Sequence, residues 1–192
     1  MRVILMIAMT LYIGFGATAV QAAEMTIDEA YKALNHKRTQ FSTNNARMSA
    51  EESQYLDHVF FVTDLAFRER MVMLRYVQAG KSAYYIDTYN EQIENLLSSF
   101  EMIKAPNKAL KQIEGLILAA IREQQAFFNE WHEAKGTSYY TSLSKNYTSH
   151  KLVQASHHKL LQAYGLLKRK YSSEASHNQQ SFYDHLCVLD FI

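Results

Sequence analysis

The chain has 192 residues, of which 48% are hydrophobic, and carries 20 basic against 19 acidic side chains with Cys187 as its single cysteine. So even a balance leaves no electrostatic footprint for nucleic acid or an anionic membrane, and one cysteine excludes an intrachain disulfide. Beyond residue 22 there are four glycines (Gly80, Gly115, Gly136, Gly165) and one proline, Pro106, too few for a strand-and-turn protein, so helices joined by short breaks are expected.

The N-terminus reads as a targeting segment. Met1-Arg2 is a short positive end, Val3 to Phe15 is apolar apart from Thr10, Tyr12 and Gly14, and Val20-Gln21-Ala22 offers the small residues of a processing site. Residues 1–22 are therefore read as a signal peptide and 23–192 as a single helical-bundle domain. The alternative is a retained anchor, since Val3 to Val20 approaches the length of a bilayer span. No cysteine follows the cleavage point to take a lipid, and nothing later is apolar and long enough for a second span. Loss of Arg2 leaves basic and acidic residues balanced. A disulfide-free exported domain points to a bacterial periplasm or medium, on which view the acceptor pattern Asn146-Tyr147-Thr148 is a chance match.

The remaining helices follow in order. Capping boxes, in which paired side chains satisfy N–H groups at a helix start, are expected at Thr26/Glu29, Ser49/Glu52 and Ser176/Gln179. Pro106 fits a first helical turn. Ile27, Ala30, Tyr31, Leu34 and Phe41 form a first apolar stripe at three-four spacing. From Ser49 to Ala79 the chain is apolar nearly all round, with a thin polar line through Asp57, Asp64, Arg68 and Arg75. That pattern marks the central helix of a bundle. Further stripes run from Ile86 to Ile103, from Leu110 through Gln124 to Trp131, and from Leu152 through Ser156 to Tyr171. Residues 38–49 hold the first break, and 136–147, rich in Ser, Thr and Tyr, reads as the longest loop. The last segment carries Phe182, Leu186 and Leu189 on one face and should dock on the bundle. The expected fold is all-α: an up-and-down bundle of about five long helices plus a short C-terminal one.

Chemistry-bearing patterns are sparse. No two of the eight histidines lie three or four residues apart, the spacing that sets two ligands on one helix face. His150 and His157 share a face but stand about 10 Å apart, too far for one ion whose ligands each approach to about 2.1 Å. Adjacent His157 and His158 diverge by about 100°. Glu174-x-x-His177 is the one carboxylate–histidine pair, and it straddles a helix break. A di-metal centre needs two such pairs. No metal or other cofactor is expected, and the histidines read as solvated. Gly-x-Ser-x-Gly and phosphate-binding loops are absent, and Cys187 sits among Leu186, Val188 and Leu189 as a small hydrophobe.

Arg70 is the exception to the pattern. On a helical wheel it falls between Val59, Thr63, Phe67 and Leu74, inside the apolar face. A charge there needs a partner. Either it forms a structural ion pair or snorkels to water, or it anchors an anion in a pocket between helices, with Gln124 as the second polar group. Twelve tyrosines beyond residue 22 are the other oddity, among them the pairs Tyr84-Tyr85 and Tyr139-Tyr140 near helix breaks. They read as rings covering bundle ends, or as partner contacts. The sequence reading is thus an exported, non-enzymatic bundle that binds a protein partner. Its alternatives are a bundle binding a small anionic ligand, or an all-α enzyme, either using Arg70. No nucleic acid and, after cleavage, no membrane is expected as a partner. The oligomeric state is open.

Overall fold

Ser49 starts the first helix by the mechanism its spacing to Glu52 implies. Its hydroxyl accepts from the Glu52 amide at 3.2 Å while the Glu52 carboxylate accepts from the Ser49 amide at 3.3 Å. In this computed structural model, which describes residues 38–187, helix α1 runs Ala50–Gln78. It ends where Gly80 adopts φ 70°, a left-handed turn that an L side chain rarely takes. Helices α2 (Ile86–Ser99), α3 (Lys108–Glu133), α4 (Ser138–Asn146), α5 (Lys151–Lys170) and α6 (Ser176–Leu186) follow, with no strand among the described residues.

Cross-helix pairs fix the directions. On α1 and α2, Glu69 meets Tyr85 and His58 meets Ser99, so residue numbers rise on one as they fall on the other. On α2 and α3, Asn90 meets Asn129 and Glu94 meets Arg122. On α3 and α5, Glu123 meets Lys159 and Glu130 meets His150. All three pairs are antiparallel. Helices α1 and α3 are parallel, since Glu52 meets Asn107 and Tyr55 meets Glu114. The result is an up-down-up-down bundle of α1, α2, α3 and α5, with α6 laid against it. One continuous core runs through it, with Leu56, Phe67, Met73, Tyr89, Ile117, Trp131, Leu160 and Phe182 fully enclosed. As the near-continuous apolar pattern requires, α1 carries buried residues from Ser53 to Val77 on most of its circumference.

Residues 38–48 form a strap that crosses from α1 to α6. Asn178 of α6 reads the strap's backbone with both ends of its amide, accepting from Ser42 N and donating to Ser42 O at 3.0 Å each. Asp184 accepts from Thr39 N at 2.7 Å, His177 Nε2 donates to Gln40 O at 2.8 Å, and Glu174 accepts from the amides of Arg47 and Met48. Phe41 packs against the rings of Phe60 and Phe182, at 5.6 and 6.1 Å, closing a cluster in which those two rings are themselves 6.0 Å apart. Under the strap, Arg38 grips Asp64 of α1 with two N–H···O bonds of 2.7 and 2.9 Å, and His185 Nδ1 lies 3.0 Å from the same carboxylate. Phe60 stacks on the His185 ring at 4.7 Å.

Several expectations change. Asp64 leaves the solvated line on α1 and is buried, because strap and α6 close over it. His185 is likewise buried, not solvated. Residues 138–146, expected in a loop, are helix α4: the Thr137 side chain caps it by accepting from Tyr140 N, and Trp131 offers a platform to Tyr140 and Tyr147. Pro106 precedes Asn107, whose side chain caps α3 at Leu110 N. Ser176 is the first residue of α6, behind an Ala175 cap, and Gln179 reaches back to the carbonyls of Ser172 and Glu174. Phe41 belongs to the strap and not to a helical stripe. Phe182, Leu186 and Cys187 dock into the core as the last apolar face implies. The signal segment, the stripe from Ile27 to Leu34 and residues 188–192 lie outside the described residues.

Two outcomes follow from the polar contacts. Asp64→Asn removes the carboxylate that takes two N–H···O bonds from the buried Arg38 and a third contact from His185, so unfolding in urea should show a loss of about 3–5 kcal/mol. Glu52 is the second case. Burial raises its carboxyl, but hydrogen bonds from Tyr171, Ser49 and Lys170 outweigh this and hold it below the ordinary 4.5. A carboxylate depressed in the folded state adds stability above the unfolded value, and that stability is lost as pH falls through the folded value. Glu52→Gln should therefore be less stable at neutral pH and show a shallower decline in melting temperature below about pH 4.5.

Candidate functional site

A pocket opens where α1, α3 and α5 meet beside α4. Arg70 and Leu74 contribute from α1, Gln124, Phe127 and Phe128 from α3, and Val153, Gln154 and His157 from α5, with Tyr147 and Thr148 from the turn before α5. Its volume is about 190 Å³. Arg70 and Gln124, the two residues singled out from the sequence, line it together. They are 7% and 5% exposed, so both polar groups act in a largely dehydrated setting.

A helical side chain leans toward its own N-terminus, and Arg70 does so: its Cζ lies 5.1 Å from the centroid of the Phe67 ring, one turn earlier. Gln124 Nε2 donates to Ser156 Oγ at 2.8 Å, which ties α3 to α5 beside the pocket. Arg70, Gln124, Gln154 and His157 are the polar residues that α1, α3 and α5 bring to the lining, and Leu74, Phe127, Phe128 and Val153 the apolar ones. The rings of Phe127 and Phe128 stand 5.3 Å apart at 54°. No carboxylate is among the described residues lining the pocket.

Tyr89, from α2, is enclosed nearby. Burial pushes its phenol well above the usual range, and the Arg70 charge opposes that rise. Its hydroxyl has no hydrogen-bond partner among the described residues, an uncommon state for a buried hydroxyl.

The histidines sort as helical geometry demands. His157 lines this pocket, whereas His158 turns to a shallow groove on the outer side of α3 and α5, beside Leu161 and Arg169. Glu174 and His177 are both engaged with the strap. No cluster of three or more metal-ligating side chains occurs among the described residues, and none of their helices is long and apolar enough to cross a membrane.

The tyrosine pairs are mostly built into the fold. Tyr85 stacks on Tyr76 at 4.9 Å and donates to Glu69, Tyr140 donates to the Val77 carbonyl, and Tyr139 donates to Glu130 at 2.7 Å. Tyr84 is the exception at 79% exposed. Sequence reasoning missed Phe127, Val153, Gln154, Tyr147, Thr148 and His157. The usable signals were small: Phe127 beside Phe128, and His157 beside Ser156 of a recognised stripe.

Compared with protein-family models, curated proteins and solved structures, the chain finds no match. What fold and site define is a class: an all-α bundle with a small, cation-bearing pocket between its helices. Because the Tyr89 hydroxyl is buried without a partner among the described residues, Tyr89→Phe removes a desolvation penalty and costs no bond. Its thermal unfolding should fall at or above the wild-type temperature.

Proposed function

We propose that this protein binds a small ligand bearing one anionic group in the pocket between α1, α3 and α5. The observation that carries the reading is that Arg70 and Gln124, both largely buried, line one cavity together. A guanidinium keeps its charge at any pH a protein survives and has five N–H donors, so it engages an anion beside whatever else it touches. The Gln124 amide has a second N–H beyond the one given to Ser156.

These groups hold and orient a ligand, so binding without turnover is the reading. A volume of about 190 Å³ lies under the roughly 300–1,000 Å³ of pockets for drug-sized molecules, which limits the ligand to about one ring or a short chain. With 1–22 acting as a signal peptide, the ligand is met in the periplasm or the medium. The partner-protein alternative retains Tyr84, and to a lesser extent Tyr139, as exposed rings of the two tyrosine pairs.

Calorimetric titration with a panel of small anions, inorganic phosphate and simple carboxylates included, tests this. A ligand at a hundred times its Kd adds about 2.7 kcal/mol to stability, so at least one anion should raise the melting temperature of the wild type and leave Arg70→Met unmoved. If none binds, the pocket has no anion function and partner binding becomes the better reading.

A further inference from the structure

We infer that the pocket takes a neutral phenol of a single ring, held by the apolar wall and by the Gln124 amide. Nothing is asked of Arg70, so this goes beyond the anion-binding reading and stands apart from it. Leu74 comes from α1, Phe127 and Phe128 from α3, Val153 from α5 and Tyr147 from the turn before it. Apolar side chains thus reach one cavity from three helices. Leu74, Phe127 and Phe128 are buried and make its floor, while Thr148 and Gln154 are exposed at its mouth. Three of the lining side chains are aromatic, and other rings hold them in place. Phe127 and Phe128 stand 5.3 Å apart at 54°, and Tyr147 stacks on Trp131 at 5.9 Å and 24°. A guest ring gains from tilted or offset contacts with such rings, beyond the area it buries.

Size narrows the guest. A cavity of about 150 Å³ lined by Leu, Ile and Phe takes up benzene, and about 190 Å³ admits one ring with a single small substituent. Gln124 says what that substituent is. Its Nε2 donates to Ser156 Oγ at 2.8 Å, and its carbonyl Oε1 has no hydrogen-bond partner among the described residues. An amide oxygen in a mostly apolar setting gains from a donor. A phenol hydroxyl is such a donor, and it stays uncharged until about pH 10. Toluene has the ring without the donor, and cyclohexanol the donor without the aromatic ring.

The test is an NMR titration of the full chain at neutral pH and constant ionic strength, read on the methyl groups of Leu74 and Val153. Phenol, toluene, cyclohexanol and inorganic phosphate are the probes. Phenol should bind roughly fivefold more tightly than toluene, the worth of one neutral hydrogen bond. It should bind roughly fivefold more tightly than cyclohexanol, the worth of aromatic contacts. Gln124→Leu, checked for helicity by circular dichroism, should lose the preference for phenol over toluene. Val153→Phe, at a half-buried position on α5, should fill the cavity and abolish saturable phenol binding, whereas a folded Arg70→Met should still bind phenol. Toluene or cyclohexanol binding as tightly as phenol overturns the inference, as does phenol binding that survives Val153→Phe or is lost in a folded Arg70→Met. Absence of phenol binding overturns it even where phosphate binds. Phenol binding with no anion binding supports it and overturns the anion reading alone.

Discussion

A carboxylate on the central helix of a bundle has to find a counter-charge, and Asp64 draws both ends of the described chain toward α1. Its ionised form tolerates burial because Arg38 presents a two-pronged guanidinium and His185 adds a third contact. Neither partner belongs to the four-helix core. Arg38 brings the strap, and the strap brings Phe41 into place against Phe60 and Phe182. His185 brings α6, whose polar side chains then find the strap's backbone. The closing of this side of the bundle is therefore an electrostatic requirement answered by two segments at once. The apolar contacts of Phe41 and Phe182 supply much of the energy, and Asp64 supplies the registration.

Another side of α1 is arranged differently. There Arg70, only six residues further along, faces α3 and α5 across a space that side chains do not fill. The parallel relation of α1 and α3 and the antiparallel one of α3 and α5 bring Gln124, Ser156 and His157 to one height. A helical bundle offers such a site wherever large rings hold neighbouring helices apart, and Phe127, Phe128 and Trp131 do this near the α4 end. The site is built on helices throughout, apart from the turn at Tyr147 and Thr148, so its geometry is held by the core and does not await a ligand.

Much of this was legible residue by residue. The all-α class followed from the scarcity of glycine and proline, and α1 was recognisable as central because Leu56, Phe60, Phe67 and Leu74 share the helix with Leu65 and Val72. Arg70 stood out because a wheel places it among apolar neighbours, and Gln124 because it interrupts an otherwise apolar stripe. Asp64 was not legible, since the wheel aligns it with Arg68 and its burial is decided by residues 26 and 121 positions away. His157 was missed for the same reason: periodicity says which face a residue is on, not what stands opposite. Helix α4 was missed because Ser, Thr and Tyr at 138–142 have loop composition, while a cap at Thr137 and a tryptophan platform override that preference.

The strap's contacts with α6 have a consequence for the order of assembly. They join residues separated by 145, 136 and 127 positions, whereas α1 with α2 and α2 with α3 are hairpin neighbours that close short loops, and α3 with α5 is separated only by α4 and its turns. Contacts of long sequence separation close late, because the loop entropy must be met first. A ribosome makes the matter stricter. Arg38 emerges early, but Asn178 and Asp184 do not exist until more than a hundred residues later, their strap contacts lying 136 and 145 positions apart. Throughout synthesis the Asn178 and Asp184 contacts to the strap's backbone are therefore unmade, and its amides are left to water or to whatever accompanies the growing chain. The hairpin contacts of the four helices can be made before α6 exists; the lock that fastens the strap to α6 comes after them.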